Sequence, residues 1–177
     1  YISEKAHLIL PTHRLLDAVN ETIKGSNKIG STLKGIGPTY TDKISRNGIR
    51  VGDLFLPNFT EKYNALKNSH IKQIESMKFD YKSIQIDGFT FEAYEKEWLE
   101  SAEELKKYKI CSTEYLINNA IKEGKKILAE GAQGSLLDVE FGSYPFVTSS
   151  NTITAGVCSG LGIAPNKIGK VYGLFKA

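Results

Sequence analysis

The residues from Lys28 to Arg46 constrain this chain more than any others: Lys-Ile-Gly-Ser-Thr-Leu-Lys-Gly-Ile-Gly-Pro-Thr-Tyr-Thr-Asp-Lys-Ile-Ser-Arg. Glycines, hydroxyls and cations interleave along this run. Glycine lets backbone amides come close to a ligand, and hydroxyls and cations complete an anion site. Proline is tolerated in a first helical turn, so the loop is expected to open at Pro38 into a short helix. Two readings stand on these residues alone. One is a phosphate- or nucleotide-binding loop; the other is a tight glycine-rich connection carrying solvated lysines.

A second region narrows the choice. Ile127-Leu128-Ala129-Glu130-Gly131-Ala132-Gln133-Gly134 reads as a buried strand running into a glycine-flanked polar turn, and Tyr144-Pro145-Phe146-Val147-Thr148-Ser149-Ser150 follows. Taken with Gly35-Ile36-Gly37-Pro38, Tyr40, Lys43 and Arg46, these segments resemble the adenylosuccinate synthetase family. The first run matches one of that family's two signatures, and the other two match its purine-nucleotide loops. The likeness covers nearly the whole chain and is weakest from about Phe59 to Tyr108.

Other parts of the family pattern are not found. The phosphate-loop signature Gln-Trp-Gly-Asp-Glu-Gly-Lys-Gly has no counterpart, since the one tryptophan, Trp98, sits in a charged helical run. The guanine-reading Thr-Lys-Leu-Asp type motif is missing as well. In the family, the loop that holds aspartate begins just beyond a segment like Leu174-Phe175-Lys176-Ala177. Residues 1–177 are therefore expected to be the central part of a single α/β synthetase domain, with a helical insertion at about 58–108.

Composition excludes some classes. A net charge of +3 is too small to suggest nucleic acid, which needs cations clustered on one face, and here lysines alternate with glutamates. Cys111 and Cys158 form no CxxC, so each is expected to be a small buried residue in a reducing cytoplasm. No apolar run approaches the length a bilayer requires, so no membrane span is expected.

Periodicity outlines the elements. His7-Leu8-Ile9-Leu10 reads as a short strand, and Leu15, Leu16, Val19 and Ile23 follow at helical spacing up to Gly25. Asn58 with Glu61 suggests a capping box, and Tyr63, Leu66, His70, Ile74 and Met77 form one apolar stripe. Phe91, Tyr94, Trp98, Ala102 and Leu105 form another. Ser112 to Gly124 reads as a further helix, with Leu116, Ile117, Ala120 and Ile121 inward. Lys126–Ala129 and Ile168–Leu174 read as strands. The expected class is α/β: a mainly parallel sheet with flanking helices and an inserted helical subdomain, an incomplete portion of a larger P-loop-related fold.

The resemblance also assigns residues. Thr32 and Thr148 take positions that contact the 5′-phosphate of inosine monophosphate (IMP). Gln133, whose carboxamide both donates and accepts, takes the place that reads the hypoxanthine. Arg46 takes the place of an arginine that reaches the phosphate of the neighbouring subunit's nucleotide, a task suited to the guanidinium fork. Leu33-Lys34 stand where many members have Gly-Arg. Glu130 is expected to orient the loop beside it, and Asp42, Asp53, Asp138 and Glu140 to cap or lie on the surface. His13 and His70 fall on helical stripes and are expected to be satisfied within the fold. No metal-ligand spacing is present, and no catalytic residue is assigned within this chain.

The resemblance thus implies part of a homodimeric, cytoplasmic ligase of purine biosynthesis. Its substrates are IMP, GTP and L-aspartate, it uses Mg2+, and the ligands of GTP and Mg2+ lie outside this chain. The isolated chain is expected to be inactive. Two alternatives remain: a non-catalytic purine-nucleotide-binding or dimerisation module, and a different P-loop-type nucleotide enzyme.

Overall fold

The computed structural model describes residues 1–27 and 30–175. Lys28 and Ile29, which open the glycine-rich run, and Lys176 and Ala177 lie outside the described residues. The chain forms two compact units, Tyr1–Cys111 and Ser112–Ala177.

In the first unit, β1 (Ile2–Ser3) pairs in parallel with β2 (Ile110–Cys111), Ile2 lying opposite Ile110 and Ser3 opposite Cys111. The fold class is therefore mixed helix and sheet, and the one sheet among the described residues is parallel. Between these strands run α1 (Pro11–Lys24), α2 (Ile36–Ser45), α3 (Phe59–Ser76) and α4 (Phe91–Leu105). Pro11 opens α1, and Gly25 ends it at φ 53°. Leu15, Leu16 and Val19 of α1 pack against Ile74, Ile86 and Phe91. Leu10, Ile49, Tyr63 and Leu66 form a second cluster, with Trp98 stacked on Tyr63 at 5.3 Å. Each fully buried aliphatic side chain stabilises the unit by about 1.5–3 kcal/mol. The expected stripe on α3 is buried at Tyr63, Leu66, His70 and Ile74. The helices expected as an insertion are α3 and α4, and both pack on α1 within this unit. Ile23 departs from the expected stripe and is exposed.

Two local expectations fail for identifiable reasons. His7–Leu10 is not a strand, because side chains take its backbone groups. The Trp98 Nε1–H donates to the Ile9 carbonyl at 2.9 Å, and the Leu10 amide donates to His13 Nδ1 at 2.8 Å. Only His7 makes a bridge, antiparallel to Arg50. Asn58 occupies the N-cap of α3, but at φ −97°, ψ 17° it lacks the extended backbone that aims a capping side chain at the first turn, and it makes no such bond.

The second unit holds α5 (Thr113–Lys122) and α6 (Ala155–Leu161). The Asn118 amide donates to the carbonyls of Glu114 and Gly162, tying α5 to the end of α6. Ile117, Ala120 and Ile121 are half-buried and Leu116 is exposed. The expected strands at Lys126–Ala129 and Ile168–Leu174 do not form among the described residues. A strand requires a neighbouring strand for its N–H and C=O groups; among the described residues these segments have no such neighbour, and Leu128 and Leu174 stand 86% and 99% exposed. No helix among the described residues is long and apolar enough to cross a membrane.

Candidate functional site

The loop before α2 is shaped by two carboxylates that sequence reasoning missed. Asp17 and Glu21 lie one turn apart on α1 and are both buried. The amides of Gly30 and Ser31 donate to Glu21 at 3.2 and 3.4 Å. Asp17 accepts the Gly35 amide at 2.9 Å and the Ser31 hydroxyl at 2.7 Å. Burial alone would raise the pKa of Glu21, but the Lys24 ammonium and the two loop amides outweigh it and hold it below the usual value. The only sequence signal was a pair of acids at i, i+4 beside the apolar residues of α1. The loop amides at these positions thus serve the fold and are not free for a ligand, unlike the open anion cradle the glycines suggested.

Thr32 is different. It is exposed, its hydroxyl has no hydrogen-bond partner among the described residues, and it lines a cavity of about 190 Å³ with Arg14, Lys34 and residues 84–87. Leu33 beside it sits at φ 56°, a left-handed conformation that costs a leucine about 1–2 kcal/mol. Gly35 at φ 80° caps α2, and a Cβ there would meet Ile9 Cγ2 at 2.9 Å, so the loop presses directly on the chain entering α1.

Arg46 ends α2 at φ 67°, its amide donating back to the carbonyls of Asp42 and Lys43. Its side chain lines a separate cavity of about 210 Å³ with His7, Lys43, Arg50, Asp53 and Lys62. Four cations face one carboxylate there, and Asp53 is already engaged by Lys62 at 2.9 Å and the Arg50 amide at 2.7 Å. Burial also combines with Arg50 and Lys43 to lower the His7 pKa, which favours neutral imidazole. The cavity is thus positively charged, with unspent capacity for an anion.

Asp42 does not lie on the surface. One of its oxygens accepts from His13 Nε2 at 2.7 Å and from His70 Nε2 at 2.9 Å, and both rings are buried. Because the Leu10 amide donates to His13 Nδ1, the ring proton must sit on Nε2, facing Asp42. Thr12 bonds the remaining nitrogen of His70 at 2.8 Å. These three side chains are spaced closely enough to suggest a metal site. The His13 tautomer argues against one, since a metal would need the nitrogen that carries the proton, and two imidazoles suit Mg2+ poorly. The arrangement is a hydrogen-bond network joining α1, α2 and α3, which agrees with the expectation for both histidines.

In the second unit, Gln133 is exposed at φ 68° and Thr148 is half-buried. Their two loops are stitched together: the Thr148 amide donates to the Leu137 carbonyl at 2.8 Å, and the Thr152 hydroxyl to the Gly134 carbonyl at 2.7 Å. Asp138 is the organising group. Its carboxylate accepts the amides of Glu140, Phe141, Thr152 and Ile153, and these hold its pKa low although burial acts to raise it. Glu130, the residue expected to orient this loop, is exposed and makes no such bond among the described residues. Thr32 and Arg46 therefore belong to the first unit, and Gln133 and Thr148 to one loop cluster of the second.

A family model described as adenylosuccinate synthetase matches residues 1–177. The adenylosuccinate synthetase of Parabacteroides distasonis is 60% identical over the whole chain, and that of Flavobacterium psychrophilum 63% identical over 99% of it. In both cases the chain spans 40% of the relative's length. Among solved structures, the fully ligated adenylosuccinate synthetase of Plasmodium falciparum superposes with a TM-score of 0.80 at 35% identity. That match covers 96% of this chain and 38% of the other.

Proposed function

Because the chain belongs to the adenylosuccinate synthetase family, we propose that it is the part of a GTP-dependent ligase that holds the acceptor nucleotide, IMP, and pairs two copies of the protein. On this reading residues 1–177 are the central part of one α/β synthetase domain, with a helical insertion at about 58–108. The hydroxyls of Thr32 and Thr148 donate to the 5′-phosphate, and Gln133 reads the hypoxanthine edge. The complete reaction joins L-aspartate to IMP using GTP and Mg2+. No residue of this chain is assigned to GTP, Mg2+ or aspartate, and the one cluster with metal-like spacing among the described residues does not suit Mg2+. The chain's own contribution is to bind and orient the acceptor, on which such phosphoryl transfer depends. A cytoplasmic setting accords with two cysteines that are not bonded to each other.

The observation that carries the homodimer is the length of α2. Thr32 lies before its N-terminus and Arg46 at its C-terminus, and ten residues separate these ends by about 15 Å of helical rise. The two side chains also line different cavities. This separation supports the reading that Arg46 serves the phosphate of a nucleotide held by a second copy.

Calorimetric titration of the 177-residue chain with IMP tests the reading. IMP should bind and inosine should bind more weakly, because the phosphate supplies the charge-assisted contacts. No adenylosuccinate should form from IMP, GTP and aspartate with this chain alone. Equal affinity for IMP and inosine would remove Thr32 and Thr148 from a phosphate site.

A further inference from the structure

The loop that carries Thr32 is held from outside by one guanidinium. Arg14 Nε donates to the Leu33 carbonyl at 3.1 Å. Its two terminal nitrogens donate to both oxygens of Asp87, at 2.5 and 2.8 Å, and one of them also to the Tyr94 hydroxyl at 3.0 Å. The guanidinium lies 5.3 Å from the centre of the Tyr94 ring, and only a tenth of the Arg14 side chain is exposed. Lys34 adds a weaker contact to Asp87 at 3.5 Å.

Both segments joined by Arg14 have unfavourable backbones. Leu33 is at φ 56° and Asp87 at φ 50°, two non-glycine residues in the left-handed region. Asp87 lies in a tight turn closed by reciprocal bonds between Ile86 and Phe89. A fork of five N–H groups in one plane can satisfy a carbonyl and a bidentate carboxylate together, which a lysine cannot do. Such conformations persist where surrounding contacts over-determine them, often beside ligand sites.

We infer that Arg14 is a positioning residue: its guanidinium fastens the Leu33 carbonyl to the Asp87 turn and so presents the Thr32 hydroxyl at the mouth of the cavity these residues line. The inference rests on the reading of Thr32 as a phosphate contact. It adds two residues, Arg14 and Asp87, that touch no nucleotide themselves. The turn at residues 84–88 thereby becomes the outer wall of the acceptor site. Leu33 fits the same logic, since the guanidinium that grips its carbonyl offsets a backbone conformation that glycine would adopt freely.

The test uses the 177-residue chain with Arg14→Met, Asp87→Asn and Arg14→Met combined with Leu33→Gly. Amide hydrogen exchange at Ser31, Leu33 and Gly35, whose amides are hydrogen-bonded, is read by NMR, beside affinities for IMP and inosine. Arg14→Met and Asp87→Asn should each speed exchange at these amides by roughly tenfold, the scale of one lost charge-assisted contact. Amides of α3 should be unchanged. IMP affinity should fall by a similar factor while inosine affinity holds, and Leu33→Gly should restore part of the loss by making the left-handed backbone easier. Unchanged exchange in both single variants overturns the clamp. Faster exchange with equal losses for IMP and inosine overturns its role in positioning. If the parent chain fails to bind IMP, the phosphate reading of Thr32 falls, and exchange alone decides whether Arg14 orders the loop.

Discussion

Replacing Asp42 by alanine should be among the most damaging single changes in the first unit, and its size can be worked from the geometry. The substitution leaves the Nε2–H groups of His13 and His70 without their acceptor, in rings that are 0% and 4% exposed. An orphaned buried donor costs about 1–3 kcal/mol, so the two together cost roughly 2–6 kcal/mol, the lower end if a water fills the vacated space. Domains of ordinary stability have only about 5–15 kcal/mol to lose. Asp42→Asn keeps an acceptor oxygen of the same shape and loses only the charge, so it should cost about 1 kcal/mol. Urea unfolding followed by Trp98 fluorescence at pH 7.5 measures both. The pH dependence is a second check. Burial, then the neighbouring His13, depress the His70 pKa below its ordinary 6.5, outweighing Asp42, so the unfolded chain takes up protons first. Stability is therefore full above pH 6.5 and declines as pH falls below it. Hydrogen bonds and attraction from the two histidines depress the Asp42 pKa below 3.8 against the effect of burial, so its contribution is present above pH 3.8 and is lost at lower pH. In Asp42→Ala the second decline should shrink, and the first should steepen, because protonated His70 has lost its counter-ion. An Asp42→Ala variant within about 0.5 kcal/mol of the parent at pH 7.5 would refute the network as a source of stability, a surface carboxylate being worth no more than that.

Four further substitutions have defined outcomes. Leu15→Ala should destabilise the first unit by about 2–5 kcal/mol in urea unfolding, because Leu15 is fully buried between α1 and its neighbours. With residues 1–177 grafted into a full-length bacterial relative, Thr148→Val should weaken IMP binding by about 1 kcal/mol, the net worth of a neutral hydrogen bond. In the same graft, Gln133→Leu should lower the turnover rate as well as the affinity, and steady-state kinetics with IMP separate the two effects. Arg46→Leu in that graft should cost roughly 1.5–3 kcal/mol of IMP affinity, one charge-assisted contact. Mixing it with a copy disabled at its GTP site should then restore activity above either parent dimer, and no recovery after proven subunit exchange would show that Arg46 does not act across the interface.

Local pattern was enough for the helical framework. The four apolar positions of α3 were readable because 3.6-residue periodicity is a local property, and Gly25, Pro38 and Gly124 marked boundaries through their own backbone preferences. The family was legible for the same reason: its signature lies in contiguous runs whose residue types and spacing need no partner to be recognised. Thr32, Arg46, Gln133 and Thr148 came from those runs.

What the sequence could not disclose was every arrangement that depends on residues distant in the chain. The amides of Gly30, Ser31 and Gly35 looked free for an anion until α1 brought Asp17 and Glu21 beneath them. Asp42 read as a surface or capping acid, and only the packing of α1, α2 and α3 buries it between two imidazoles. The expected strand at residues 7–10 lost its backbone partners to Trp98 and His13, a competition that periodicity cannot register. Arg14 and Asp87 are seventy-three positions apart and carry no joint signal in one dimension. A sequence thus determines what each segment prefers by itself. Which buried polar groups meet is decided by tertiary packing, because a charge or an N–H removed from water must find a partner wherever the fold happens to supply one.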